Sequence, residues 1–321
     1  QAALHPRAAK ALPAYHQVPS LMDEQAAVEA ILGEARSKGV TFDRVESPWE
    51  PMVMLCARLR EAFGLPGQTV DEALPFRDKE VMKSRLDAAG IRTPHHFRAS
   101  SEDEMRAAAE QVGYPLIVKP IAGAGSADTY RVDDPDEFET IIQLVKHVPE
   151  VSVEEFIDGE EFTFDTVCAA GRIAYHNMAW YRPRPLIART MEWVAPQTIA
   201  LRDPEVPKLA AGAAMGRAVI EALDYRSGFT HMEWFLKPDG EAVFGEIGGR
   251  PPGARTVDIM NYACDIDLYA GWAEAVCYGR FSHAVERRYN CASIFKRAQG
   301  DGIIRRIDGL QSLMARYGPH I

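Results

Sequence analysis

The sequence predicts an α/β protein of the α+β kind with more than one domain, and three observations carry that prediction. The 321 residues exceed an average domain of about 150 residues. Apolar residues recur at helical spacing in some segments and as short β-branched runs in others. The composition, 47% hydrophobic and 26% charged, is that of a folded chain and excludes disordered and collagen-like classes.

Glu24 to Gly39 and Pro51 to Phe63 show helical periodicity, with a strand-like Asp43 to Glu46 between them. The opening QAALHPRAAKALPAYHQ is loop-like where a parallel sheet would start with a strand, so an initial strand and helix are expected to be lacking. Gly64 to Arg77 is turn-rich and reads as a connection. Asp78 stands at an N-cap position before a helix over Lys79 to Ala89, with Gly90 placed for the C-cap and Pro94 beyond. Leu116 to Lys119 and Thr129 to Val132 read as strands, Pro135 to Val145 as a helix, and Val151 to Ile157, Phe162 to Ala169 and Arg172 to Met178 as strands. An amphipathic helix over Val206 to Leu223, a hairpin over Gly228 to Ile247 and a mixed segment from Asp258 complete the chain.

The net charge of −10 argues against non-specific nucleic-acid binding. Five widely spaced cysteines without a C-x-x-C predict a reducing, cytoplasmic setting rather than a disulfide framework. No apolar run reaches the roughly 18 residues of a membrane span, and the start at Gln1 has no basic-then-apolar leader.

The segment GFTHMEWFLKPDGEAVFGEIGGRPPG carries the most chemistry. Asp239-Gly240 is a strong two-residue hairpin signal. With that turn, Glu233 lies directly opposite Glu246, their Cβ atoms about 5 Å apart, where like charges repel. A divalent cation, Mg²⁺ or Mn²⁺, would remove that penalty with hard oxygen ligands. A bulge or a longer turn would instead shift the register and leave one glutamate in solvent. His231 falls on the same face, and Arg250 follows at the strand end, suited to a phosphoryl group or acyl phosphate, or to an ion pair with either glutamate.

PLIVKPIAGAGSADTYRV places Lys119 at a strand end before a small-residue loop containing Gly123, Gly125 and Ser126, whose backbone can approach phosphate oxygens. Glycines in such a loop also serve turn geometry alone. Lys79 sits in the first helical turn, where its ammonium and the helix N-terminus can address one anion. By themselves, Lys79 and Lys83 read as a solvated helix face.

Taken in order, these segments resemble the ATP-grasp superfamily of D-alanine ligase, biotin carboxylase and many carboxylate–amine ligases. The resemblance runs from about Arg77 to Gly253. It implies ATP and Mg²⁺ (or Mn²⁺) as cofactors. RDKEVMKSRLDAAGIRTP is similar to the segment whose lysine, here Lys79, meets the α-phosphate, and GYPLIVKP to the strand of the second phosphate-binding lysine, Lys119. GAGS resembles the loop that closes over the β- and γ-phosphates. VEEFIDGEEFTFD resembles the hinge that would hold adenine through Glu154 and the backbone of Glu155 and Ile157, and ribose through Glu161. Glu233 and Glu246 would be metal ligands, and Arg250 the catalytic arginine. Many members carry a metal-ligating asparagine where this chain has Gly248, so one metal site is expected to have fewer protein ligands, with His231 or water completing it.

The implied reaction is ATP-dependent ligation through an acyl phosphate, with small-molecule carboxylate and amine substrates. A bicarbonate-using carboxylase and a nucleotide-binding module without ligase activity are the alternatives. Arg182, Arg184 and Arg189 concentrate positive charge where relatives place a substrate-facing loop, and Arg189, before a strand MEWVAPQ, is the favoured substrate residue, although solvated arginines would give the same pattern. Tyr181 and Trp193 read as core or hinge packing rather than as stacking partners. The resemblance also implies three parts, an N-terminal Rossmann-like pre-ATP-grasp domain over 1–77 without its first strand and helix, a linker helix and lid over 78–151, and a larger metal-bearing part over 152–321, and it allows a homodimer.

Overall fold

The computed structural model describes residues 10–12, 15–18, 20–121, 128–191 and 193–321, and shows two antiparallel sheets joined by helices. The helices are α1 (Glu24–Lys38), α2 (Val53–Phe63), α3 (Val70–Ala73), α4 (Lys79–Ala88), α5 (Glu102–Val112), α6 (Pro135–Leu144), α7 (Pro185–Thr190), α8 (Ala210–Ala222), α9 (Thr256–Cys264), α10 (Leu268–Tyr278) and α11 (Leu310–Tyr317). The strands are β1 (His96–Ala99), β2 (Leu116–Pro120), β3 (Tyr130–Val132), β4 (Val151–Glu155), β5 (Glu160–Ala169), β6 (Arg172–Asn177), β7 (Ala179–Arg182), β8 (Gln197–Ala200), β9 (Gly228–Leu236), β10 (Ala242–Gly248) and β11 (Cys291–Ile294).

The small sheet has the order β1-β4-β2-β3. Its apolar face, with Leu116, Val118, Val132 and Val153, is covered by Met105 and Ala109 of α5 and Phe138, Ile141 and Ile142 of α6. β4 belongs to this sheet along its whole length, so the sheet runs on to Glu155. The large sheet has the order β10-β9-β5-β7-β8-β11, with β6 paired to β5. One face packs Phe164, Met232 and Trp234 against α8 and against Met82 and Leu86 of α4. The other packs Val167 and Phe229 against Val257 and Met260 of α9 and Leu268 and Ala275 of α10. A helix that begins the linker in sequence thus belongs, by packing, to the core of the large sheet.

The N-terminal stretch departs from expectation. Among the described residues up to Arg77 there are helices and coil and no strand. The segment expected as a strand, Asp43 to Glu46, has its groups taken elsewhere: Val45 O accepts from Arg60 Nε at 2.9 Å, and Arg44 Nε donates to Val276 O at 2.9 Å. The turn-rich connection contains α3, started by a Thr69 capping box with Glu72. Among the described residues of MEWVAPQ only Gln197 belongs to β8, and Pro196 before it has no N–H to give to a ladder. No helix among the described residues is long and apolar enough to cross a membrane.

α8 approaches the large sheet closely through two glycines one turn apart. A Cβ on Gly212 would lie 2.1 Å from the Trp234 ring, and one on Gly216 would lie 2.4 Å from the Phe164 ring. Alanine is ordinarily the better helix former by about 1 kcal/mol. Here overpacking reverses the sign, and Gly212→Ala and Gly216→Ala should each lower stability by roughly 1–3 kcal/mol. Urea midpoints of the two variants check this.

Candidate active site

The two sheets meet at a cleft whose walls include Lys79, Lys119, Glu154, Ile157, Glu161, Glu233 and Glu246. These are seven of the residues singled out from sequence. Gly123, Gly125 and Ser126 lie outside the described residues.

One wall carries Glu233 and Glu246 directly opposite each other, but the route to that register is not the expected one. The turn is a three-residue loop, since Lys237 N donates to Glu241 O at 2.9 Å, with Gly240 at φ +89°. Phe244 therefore pairs with Trp234, one residue off the expected register, and a bulge between Phe244 and Glu246 restores it before the second carboxylate. The two shifts cancel at the pair that matters.

The facing wall is cationic. Asp78 caps α4, accepting from Glu80 N and Val81 N at 3.0 Å, and sets Lys79 in the first turn. Lys79 Nζ lies 3.4 Å from Glu246 Oε2. Lys83, read from sequence as a solvated side chain, is fully buried, and Lys79 is 8% exposed. The reason is a buried acid: Glu154 Oε1 takes Lys83 Nζ at 2.6 Å and Lys119 Nζ at 2.9 Å. Burial, only partly offset by Glu154, pulls Lys83 down to about 8. Burial alone would raise Glu154, but Lys119 and Lys83 hold it down to about 2. Burial also works against the charge on Lys119, yet Glu154, Glu246 and Glu233 leave it raised.

At the hinge, Glu155 is engaged on both sides: its N–H donates to His95 O at 2.8 Å and its carboxylate takes Arg92 Nη2 at 2.9 Å. Ile157 O accepts from Arg184 Nη1 at 2.8 Å, and Arg184 Nε lies 3.4 Å from Glu161 Oε2. The Arg184 guanidinium also lies 5.0 Å from the Phe156 ring centre and 4.8 Å from that of Phe235. Of the three arginines, Arg184, at the N-cap of α7, is thus the one built into the cleft wall, while Arg189 within α7 is exposed. Burial and the neighbouring Glu233 push the Glu161 carboxyl up, against Arg184. Trp193 is 69% exposed, so it is not core packing. Tyr181 is directed inward and donates to Glu233 Oε1 at 3.3 Å.

Arg250 pairs with neither hairpin glutamate. Its Nε donates to Glu50 Oε2 at 2.7 Å, and Arg77 Nη1 donates to Glu50 Oε1 at 2.7 Å. A Cβ at Gly248 would come within 3.3 Å of Arg250 Cγ, so a larger residue there would crowd this arrangement. Glu50 and Asp165 are acids that sequence reasoning missed. Glu50 is separated from its partner by 200 positions, and no local pattern marks it. Asp165 had a faint signal, since it falls opposite His231 when β5 and β9 are paired.

His231 bridges two carboxylates, with Nδ1 2.6 Å from Asp165 Oδ1 and Nε2 3.3 Å from Glu233 Oε1. The cation-ligand role expected for it would require one of these contacts to break. The donor set that fits a hard divalent cation is the opposed pair Glu233 and Glu246, one or two carboxylates being what Mg²⁺ takes from a protein beside nucleotide phosphates.

Two antiparallel sheets enclose a cleft with lysines on one wall and opposed carboxylates on the other, charges of the signs that a polyphosphate and a divalent cation would need. Residues 84–261 match the model of the ATP-grasp domain, and the chain belongs to the ATP-grasp family. It is 27% identical over 235 residues to the L-arginine-specific L-amino acid ligase of Bacillus subtilis, covering 71% of this chain and 56% of that protein. It is 26% identical over 280 residues to the alanine–anticapsin ligase of Bacillus subtilis strain 168, covering 80% of this chain and 58% of that protein. The chain therefore spans just over half the length of these curated relatives. The crystal structure of an L-amino acid ligase from Bacillus licheniformis superposes with a TM-score of 0.77 at 25% identity, covering 93% of this chain and 73% of that one.

Burial alone would lower the pKa of His231, but hydrogen bonds to Asp165 and Glu233 and their charges raise it from 6.5 to about 9. A raised folded-state pKa stabilises fully below the unfolded value, and that stability is lost as pH rises through about 9. Between pH 6 and 9.5 the wild type should lose on the order of 2 kcal/mol more than His231→Gln. Urea unfolding at the two pH values measures the difference.

Proposed function

We propose that this protein is an ATP- and Mg²⁺-dependent ligase that converts a substrate carboxylate into an acyl phosphate for attack by an amine, releasing ADP and phosphate. The observation that carries the reading is the pair Glu233 and Glu246, opposed on one wall and faced by Lys79 and Lys119 on the other. Like charges held this close are destabilising unless a cation joins them. Mg²⁺, held by Glu233 and Glu246, would supply charge neutralisation at the phosphates.

The chain's own residues then have separable tasks. Lys79 and Lys119 bind phosphate oxygens. Glu154, with the backbone of Glu155 and Ile157, holds the adenine edge, and Glu161 holds ribose. Arg250, kept in place by Glu50, stabilises the charge that develops as the carboxylate and then the amine react. Arg189 meets the substrate from α7, and Arg184 supports the cleft wall through Ile157 O. Positioning and fixed charge account for such catalysis without a protein nucleophile. The L-amino acid ligases among the relatives support amino acids as the carboxylate and amine partners. All five cysteines are free thiols, which supports a reducing cytoplasmic setting.

ADP release should require both a carboxylate and an amine from a panel of amino acids. Release driven by bicarbonate in place of the acid would select a carboxylase, and ATP binding without ADP release under any combination would select a binding module. Glu246→Gln should lower turnover by at least about 100-fold, and Arg250→Met by about 100- to 1,000-fold, the range for removing a fixed charge-stabilising donor. Full activity in Glu246→Gln with an unchanged melting temperature would overturn the assignment.

A further inference from the structure

Asp165 is a charged side chain without a role in the proposed chemistry. It has no exposed surface, and a buried carboxylate is costly unless its lone pairs are used. They are used. Oδ2 accepts from Thr163 Oγ1 at 2.7 Å and from Asn177 Nδ2 at 3.2 Å, and Oδ1 takes His231 Nδ1 at 2.6 Å. Thr163 and Asn177 lock the carboxylate, so its remaining oxygen aims at the ring from one direction.

The ladder extends this aim to the cleft. Asp165 sits directly opposite His231, and Thr163 directly opposite Glu233, on the paired strands β5 and β9. His231 is 6% exposed, and its second nitrogen lies 3.3 Å from Glu233 Oε1. Tyr181 donates to the same oxygen at 3.3 Å. Both contacts therefore fall on Oε1 of Glu233. We infer that Asp165 and His231 are positioning residues in series: Asp165 fixes the imidazole ring, and the ring, with Tyr181, fixes Glu233 so that Oε2 is presented to the cation. This rests on the reading of Glu233 as a cation ligand. It also assigns His231 to the support of a ligand rather than to the ligand set, and it gives the buried polar file Asn177, Asp165, His231 a function.

The test is Mn²⁺ affinity with ADP present, read from the EPR signal of free Mn²⁺, so that no turnover is involved. The proteins are wild type, Asp165→Asn, His231→Gln, the double variant and Glu233→Gln. Removing a group that supports a ligand should weaken Mn²⁺ binding by about 10-fold in Asp165→Asn and in His231→Gln, within the usual range for such partners. Because the two act in series, the double variant should be within about 2-fold of His231→Gln alone. Asp165→Asn keeps the shape of the side chain, and if it fails to fold, His231→Gln alone decides. Wild-type affinity in either folded single variant, or additive losses in the double, overturns the positioning series, as would a lowered melting temperature with Mn²⁺ affinity unchanged. If Glu233→Gln loses Mn²⁺ while the other variants do not, only this inference falls. If Glu233→Gln binds Mn²⁺ as the wild type does, the site assignment falls with it.

Discussion

One carboxylate oxygen shared by two lysines holds the site together. Glu154 Oε1 receives Lys83 from α4 and Lys119 from β2; Lys83 and Glu154 are buried and Lys119 is mostly so. Breaking such a cluster by removing one member leaves an unmatched buried charge, which typically costs about 3–5 kcal/mol. Because α4 packs in the core of the large sheet while β2 and β4 belong to the small one, this cluster is also where the two sheets are pinned to each other. Glu80, accepting from His96 and Ser152, adds a second tie at the same seam.

The charge count at that seam has a direction. Two cations meet one anion, so the lysine wall carries a surplus of positive charge, whereas the opposite wall has Glu233 and Glu246 side by side. Each wall alone is frustrated, and part of the tension is relieved across the cleft by Lys79 and Glu246. A polyphosphate carrying a divalent cation satisfies both at once, anion to lysines and cation to carboxylates. The charges of the two walls thus suit the ligand of mixed charge proposed for the cleft.

Much of this was legible in the sequence, and the parts that were not share a cause. Periodicity and capping located α1, α4 and α6 because those signals are local: Asp78, the α4 cap, and Gly39, the left-handed C-cap of α1, act within one turn. The opposition of Glu233 and Glu246 was legible only because two register errors compensate, a longer turn and a bulge that no propensity rule links. Lys83 was misread because a lysine on an amphipathic helix looks solvated until its partner, 71 positions away, is known. Arg184 could not be separated from Arg182 and Arg189 by composition, since the choice depends on which one reaches Ile157 O and Glu161. The expected strand at Asp43 to Glu46 failed for the same reason in reverse: its groups are claimed by Arg60 and by α10, partners that a local window does not contain.

The contact between Glu50 and Arg250 bears on what counts as one working unit. The family match begins at residue 84, yet the arginine inside that span is oriented by an acid outside it, and the same acid also anchors Arg77. Lys79 and Lys83 lie outside the span as well. The boundary of the matched domain therefore cuts through a single electrostatic assembly, although the similarity to the amino acid ligases runs well beyond it. An excised domain drawn along that boundary would keep Glu154, Glu233 and Glu246 and lose Lys79, Lys83 and the acid that pairs with Arg250. For swapping such modules between relatives, the seam to respect is the network of charges around the cleft, which starts near residue 50.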